Sequence, residues 1–526
     1  MPADNAHARL PLGISVRVAL LSLLTAAALS ATRPAGAIVY RTPVGTLKDN
    51  CVVWHDGQYY LFTMYRREQV AADADPMQWR HVWLATSKDG VHWRDVGPVI
   101  EDAPFVIYAM RVWKVGDRFV MDHGSFTGSQ QNVLRFWESK DLRHWRYLGA
   151  DHDVRRPDGQ RLDHMDVVAV PDGGRTQWFG YAAGGMLRSD DGVRWRWTGD
   201  FRFTGDLRPR FVEEPGGCQQ IGDRYYLLVG GFYPGSFNYA VATFTATDPG
   251  GPFAPDYPAF RLNGSSGRRM VGLWAGFCRT PQETLVSNYI VDPSGLYFWH
   301  APLKRAVVDA AGHLRLGYWM SNDALKGVPV PLDLRGARQA FTTATAATPP
   351  GVVAAADRLE LRAVPYQPVW WQTPEKPQTA VAMLPDRLDV AAGFVLEGDI
   401  TVRSAPGGDV IFPAAGLLLE TGPKQGLAVK LQTWQQTEIG TLDWTGGLRF
   451  DSEDRTGFGC ATAAGMPPGK KCHFRLLMRQ DLFEMYLDDL LVQTWSTRKA
   501  TGRIGFLVDD GHATLENLRA WRLNLP

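Results

Sequence analysis

The sequence predicts an all-β protein, a five-bladed β-propeller followed by a C-terminal β-sandwich. Three observations carry that reading. A short turn motif recurs about every 50 residues through the first half of the chain. The second half alternates apolar and polar residues over many short runs without that motif. A Pro-, Ala- and Thr-rich stretch, 327–353, separates the two. With 526 residues the chain is long enough for about two to four domains.

The first element is a targeting segment. Arg9 and Arg17 supply positive charge, Val18 to Ala28 is apolar apart from Ser22 and Thr25, and Ala35-Gly36-Ala37 offers small residues at a cleavage point. Residues 1–37 therefore read as a secretory signal peptide, which places the mature protein outside the cytoplasm, secreted or periplasmic. The apolar run is too short to span a bilayer comfortably, so no membrane partner is expected.

Residues 38–325 form the expected propeller. Ser87, Asp89 and Trp93 define the turn motif. It returns as Ser139, Asp141 and Trp145, then as Ser189, Asp191 and Trp195, and in degraded form as Thr247, Asp248 and Phe253. Each copy follows a strand, a Gly turn and an aromatic strand: VVWHDGQYYLF (52–62), VWKVGDRFVM (112–121), VVAVPDGGRTQWFGY (167–181) and QQIGDRYYLLV (219–229). A weaker fifth set runs from Gly272 to Leu303. A Gly turn between strands and an Asp-stabilised turn after the third describe one propeller blade, with the aromatic wedged between neighbours. Residues 326–358 read as a linker, and 359–526 as the sandwich, with FVLEGDITV, GLLLE, FRLLMR and LFEMYLD among its clearest strands.

Composition narrows the function. Lys and Arg total 56 against 55 Asp and Glu, a balance that argues against nucleic acid as a partner. There is no CxxC, HExxH or P-loop, and no metal or cofactor is expected. Of the five cysteines, Cys51, Cys218 and Cys278 read as buried thiols. Cys460 and Cys472 flank a Gly/Pro-rich loop at a spacing a disulfide could close.

The first strand of each blade lines the propeller axis, so acids at strand starts converge there. Asp49, Asp166 and the pair Glu213-Glu214 stand at three such starts. Three carboxylates in one aromatic-rich funnel suit glycoside hydrolysis, which needs one to attack or activate water, one to protonate the leaving oxygen and one to hold hydroxyls. Adjacent residues on a strand face opposite ways, so only one of the two glutamates points inward. Spacing to Pro215 and Gly222 favours Glu213, with Glu214 the alternative. Asn50, Trp54, Arg111 and His164 are candidate sugar contacts, and Tyr108 and Trp274 candidate stacking surfaces.

This layout resembles the five-bladed furanosidases, above all glycoside hydrolase family 32, and is similar to the related family 43. Ser139 to Trp145 (SKDLRHW) resembles the family 32 S-x-D-L-x-H-W turn, Asp49 the acid that opens blade I, Asp166 the acid of its R-D-P motif, and Glu213-Glu214-Pro215 its E-C-P motif. In the sandwich, Leu359 to Pro365 and Met478 to Asp488 resemble further family segments. The resemblance implies a secreted hydrolase acting on an oligo- or polysaccharide, with Asp49 as nucleophile, Glu213 or Glu214 as acid/base and Asp166 holding hydroxyls. β-Fructofuranosides are the first choice of substrate. Arabinofuranosides or another furanoside stay open, because Lys48 precedes Asp49 where the family has Asn and no Arg precedes Asp166. The alternative is a carbohydrate-binding propeller protein without turnover.

Overall fold

The structure is a computed structural model of the chain and describes residues 38–67, 78–125, 132–205, 214–231, 239–265, 272–291, 298–343, 351–363, 378–404, 412–457, 459–462, 465–497 and 499–525. The expected signal peptide, 1–37, lies outside these residues, as does Glu213. Among the described residues no helix is long and apolar enough to cross a membrane.

The first half builds antiparallel meanders in chain order. Thr46–His55, Gln58–Arg66, His81–Ser87 and Arg94–Ile100 make one sheet. Tyr108–Val115, Arg118–Ser125, Val133–Ser139 and Arg146–Tyr147 make the next. Asp163–Asp172, Arg175–Ala183, Gly185–Ser189 and Arg196–Gly199 make the third. Glu214–Ile221, Arg224–Gly231 and Ala240–Ala246, edged by Ala254–Pro255 and Arg261–Gly264, make the fourth. A further group starting with Gly272–Arg279 and Thr284–Val291 ends at Leu314–Tyr318, where Gly317 pairs with Leu490 and carries the sheet into the sandwich. The first strand of each group packs on the first strand of the next, and Gly272–Arg279 packs back on Thr46–His55, in the arrangement of a propeller.

The recurrent turn does the work its residues suggest. Asp89 Oδ1 accepts the backbone N–H groups of Val91 and His92 at 2.9 and 2.8 Å. Asp141 accepts those of Arg143 and His144, and Asp191 those of Val193 and Arg194. The aromatic that follows points at the preceding sheet. Trp145 meets Phe62 edge-on at 5.8 Å, Trp195 meets Trp113 at 5.9 Å, and Phe253 meets Tyr181 at 6.2 Å. Trp93, from the first sheet, meets His300 of the last group at 5.2 Å. Edge-to-face pairs of this kind contribute roughly 0.5–1.5 kcal/mol each beyond the area they bury.

The second half stacks two sheets. One orders Leu490–Ser496, Leu482–Leu487, Cys472–Arg479, Phe394–Ser404, Gly511–Leu523 and Arg358–Arg362; the other has seven strands, among them Thr379–Arg387, Ala414–Gly422 and Gln425–Gln432. Two readings from the sequence are corrected here. The stretch read as a linker carries edge strands: Lys326–Val330 pairs with Gly511–Leu523, Arg338–Thr342 with Thr379–Arg387, and Val352–Ala354 with Arg358–Arg362. Pro329 fits such a position, because an edge strand can leave its missing donor outward. Cys460 and Cys472 form no disulfide, and both are buried thiols. Cys460 Sγ lies 3.1 Å from the Arg261 Nε of the first half, while Cys472 pairs with Ile400 inside a sheet.

The two halves are tied by polar as well as apolar contacts. Buried Arg261 bonds Asp454 and the Arg455 carbonyl, and Lys304 bonds Glu484 at 2.6 Å. Tyr318 packs on Tyr486 with ring centroids 5.1 Å apart.

Candidate active site

Each innermost strand departs from regular pairing near its start. The register shifts at Asp49, between Tyr108 and Met110, at His164, between Pro215 and Gly217, and between Leu273 and Gly276. A bulge adds an unpaired residue and re-aims its side chain. Three bulge residues take positive φ despite carrying a Cβ: Asp49 at 45°, Ala109 at 37° and Trp274 at 51°. Such backbone strain persists only where the surroundings fix it, and it gathers at functional sites.

Asp49 is buried beside Tyr289, whose pKa is raised by burial and by the Asp49 charge, and Asp49 Oδ1 has no partner among the described residues. Glu214, the first residue of Glu214–Ile221, is half-buried and accepts the Tyr239 hydroxyl at Oε2. Burial raises the Glu214 pKa, and the charge of Asp49 raises it further; Lys48, the Tyr239 hydroxyl and His164 pull it back in part. Lys48 sits among these acids. Asp49 is the main cause of its raised pKa, opposed by burial and supported by Glu214, Tyr108 and Asp163.

Asp163 completes the cluster. Its Oδ1 accepts the His164 N–H at 2.7 Å and its Oδ2 the Arg161 guanidinium at 2.8 Å. Burial alone would raise its pKa, but His164 and Arg161 outweigh it and hold the carboxyl below the usual range. Only glycine fits opposite: a Cβ on Gly124 would stand 1.6 Å from Asp163 Oδ1. Among the described residues both ring nitrogens of buried His164 lack a hydrogen-bond partner, and its ring lies 4.6 Å from that of Trp274.

Beneath this layer Arg111 crosses the axis. Its guanidinium donates to the carbonyls of Asn50 at 3.0 Å and Gly216 at 3.1 Å and lies 4.4 Å over the Trp274 ring. A Cβ on Gly276 would press within 3.0 Å of it. Asp122, fully buried, accepts the N–H groups of Arg111 and Met165 and so staples the second sheet to the third; burial pushes its pKa well up.

Of the residues expected from the sequence, Asp49, Glu214, His164 and Tyr108 meet around Lys48 and Asp163, while Asn50, Arg111 and Trp274 form the layer that supports them. Glu213 falls outside the described residues. Asp166 is not among the leading charge neighbours of Glu214 or Lys48. It stands three residues beyond Asp163, about 10 Å along the strand. There its Oδ2 accepts the Cys218 N–H at 3.0 Å, with Arg111 and Arg279 as charge neighbours. Trp54 lies near the far end of its strand, opposite Tyr59, and packs on the main apolar core. Asp163, Tyr239 and Tyr289 were not singled out from the sequence, and Lys48 was noted only as a departure from the family motif. Of the first three, Asp163 alone left a signal there, as a second acid in the same strand start.

Enclosed volume does not mark this site. A cleft of about 680 Å³ lies in the sandwich, lined by residues such as Asp443, Arg449, Asp451 and Lys499, and contains none of the cluster. Among the described residues no group of His, Cys, Asp or Glu could hold a metal ion. The arrangement on the axis offers a buried carboxylate with an open oxygen, a carboxyl biased toward its protonated form, a fixed anion and a cation.

No family model and no curated protein matches the sequence. Solved structures do match in fold. A sucrose-6-phosphate hydrolase from Lactobacillus gasseri aligns at 13% identity over 96% of this chain and 96% of its own, with a TM-score of 0.62. A glycoside hydrolase family 32 β-fructofuranosidase from Bombyx mori aligns at 13% identity over 97% of this chain and 100% of its own, with a TM-score of 0.58. Fructan 1-exohydrolase IIa from Cichorium intybus aligns at 12% identity over 92% and 96%, with a TM-score of 0.59. At these identities the likeness is one of fold, over nearly the full length of both chains.

Proposed function

We propose that the protein is an exported glycoside hydrolase cleaving furanosidic bonds, with a five-bladed propeller as its catalytic part. The observation that carries the reading is the pairing of Asp49, buried with an open oxygen, and Glu214, whose pKa is raised by burial and by Asp49 itself. The five-blade count rests on the group from Gly272 to Tyr318 and its return contact to Thr46–His55. Export rests on the sequence of 1–37. β-Fructofuranosides are the first substrates, supported by the activities named for the three matching folds. Arabinofuranosides come second, because Lys48 changes the surroundings of Asp49.

In the proposed reaction Asp49 attacks the anomeric carbon as the bond to the leaving oxygen breaks. Glu214 gives that oxygen its proton. Water then attacks the glycosyl-enzyme bond, Glu214 takes the water's proton, and Asp49 departs as carboxylate. We assign the third acid's role to Asp163, beside the other two, and give Asp166 the structural role of latching the third sheet to the Cys218 N–H. Retention requires the Asp49 and Glu214 carboxyls roughly 5–5.5 Å apart, and inversion about 6.5–9.5 Å.

Lys48 favours one second reading. An ammonium beside the nucleophile tempers its reactivity, as in a carbohydrate-binding protein without turnover. Incubation with sucrose, an inulin-type fructan and an aryl arabinofuranoside separates the two. Release of free sugar by the wild type, lost in Asp49→Asn, supports the hydrolase; saturable binding with no release by either supports the binder.

A further inference from the structure

We propose that Glu484 of the sandwich and Lys304 of the propeller are positioning residues for Asp49, acting through the strand Thr284–Val291. This rests on the reading of Asp49 as nucleophile.

Both side chains are completely buried and meet at 2.6 Å. The three donors of the Lys304 ammonium are all used, on Glu484 Oε1, on Asn288 Oδ1 at 2.9 Å and on the Pro302 carbonyl at 2.8 Å. Glu484 is held equally well, by the Thr494 hydroxyl at 3.1 Å on Oε1 and the Tyr486 hydroxyl at 2.7 Å on Oε2. Neither group can swing without losing a bond. A buried ion pair is a poor device for stability alone, since apolar residues of the same volume serve as well or better. It does fix direction, because every bond has a required geometry.

The direction leads to the site. The Asn288 carbonyl accepts the Asn50 side-chain amide at 3.2 Å. Tyr289, next in the chain, stands beside Asp49, its pKa raised by burial and by the Asp49 charge. His300, opposite Tyr289 in the register, takes the same Asn50 amide at Nδ1, 2.7 Å away. The Asn50 carbonyl is fixed by Arg111 and by the Trp274 ring N–H at 3.1 Å. The left-handed bulge at Asp49 is thus clamped through its neighbour Asn50, and one of those clamps, Asn288, is anchored by Lys304 and carries Tyr289 beside Asp49. Cutting the anchor lets Asn288 and Tyr289 shift together, so Asp49 loses its aim while the pocket that binds sugar keeps its walls.

The test compares wild type with Lys304→Met/Glu484→Gln, which removes both charges and leaves neither unpaired. Two readouts are taken: turnover of whichever furanoside the wild type cleaves best, and backbone amide exchange at Lys48–Cys51 against the remote turn Ser139–Trp145. The expected result is kcat lowered about tenfold or more with KM within about twofold. Exchange at Lys48–Cys51 should rise about tenfold with the remote turn unchanged. Wild-type kcat and exchange in a folded double variant would overturn the proposal, as would equal loosening of both segments. If the wild type cleaves no furanoside, the hydrolase reading fails separately and the exchange comparison alone decides. If the double variant does not fold, Glu484→Gln alone is read in the same two ways.

Discussion

The propeller uses aspartates in two settings, on the blade turns and on the axis. At the turns Asp89, Asp141 and Asp191 each take two backbone N–H groups from within three residues of themselves, and their pKa values are held low despite burial. On the axis Asp49 keeps an oxygen without a partner, and Glu214 has its pKa raised. Their charged and titratable neighbours come from other sheets, Tyr289 for Asp49 and Asp49 and Lys48 for Glu214, while the Tyr239 hydroxyl bonds Glu214 from its own blade. A carboxylate satisfied by its own turn is structural. One fed from across the ring, with bonding capacity left open, is equipped for chemistry.

Substitutions at the two kinds of position should therefore differ in kind. Asp49→Asn keeps shape and loses charge, so turnover should fall about 10³-fold or more with unfolding temperature preserved, as read by initial rates and a melting curve. Glu214→Gln should slow sugars with poor leaving groups by about 10²–10⁴-fold, and aryl glycosides far less, because an activated leaving group needs no proton. Equal losses on both substrate types would move the acid role off Glu214.

Lys48→Met sharpens the electrostatic side of the comparison. Lys48 lowers the Glu214 pKa, so its removal raises that pKa. The acid then stays protonated to higher pH, and the alkaline limb of kcat/KM should move upward, with a rate change of about tenfold or less. A downward move would contradict the placement of Lys48.

The turns should give the smallest effect. Burial pushes the Asp89 carboxyl up, but bonds from His92, Val91 and Ser87 outweigh it and bring its pKa from 3.8 to about 2. A depressed carboxylate stabilises the fold above its unfolded pKa, and that contribution is lost as pH falls from about 4 toward about 2. Asp89→Ala should flatten this part of the stability curve and cost roughly 0.5–2 kcal/mol at neutral pH, with activity unchanged.

The same contrast explains what was legible in the sequence. The turn motif is local: serine, aspartate, two N–H groups and an aromatic within seven residues, repeated, so sheets and order follow from the string. The axial layer is not local. A bulge adds one residue without altering the apolar pattern, so the string does not set Asp163 apart from Asp166, three residues on. Glu214 was available as the second of two adjacent acids, but choosing it needed Tyr239, 25 residues on. Asp49 was named because it opens the first repeat. The linker reading failed because strands pair on either side of the Thr- and Ala-rich run, at Arg338–Thr342 and Val352–Ala354, and the disulfide reading because closeness in sequence did not place Cys460 and Cys472 face to face.

The most direct measurement is a crystal structure of the Glu214→Gln protein soaked with a furanoside substrate. The account predicts a furanose on the axis, its anomeric carbon within about 3.5 Å of Asp49 Oδ1 and its glycosidic oxygen against residue 214, with hydroxyls on Asp163 and Lys48. A sugar bound instead at the Asp166 and Arg279 end of the channel, or only on the sandwich, would contradict it.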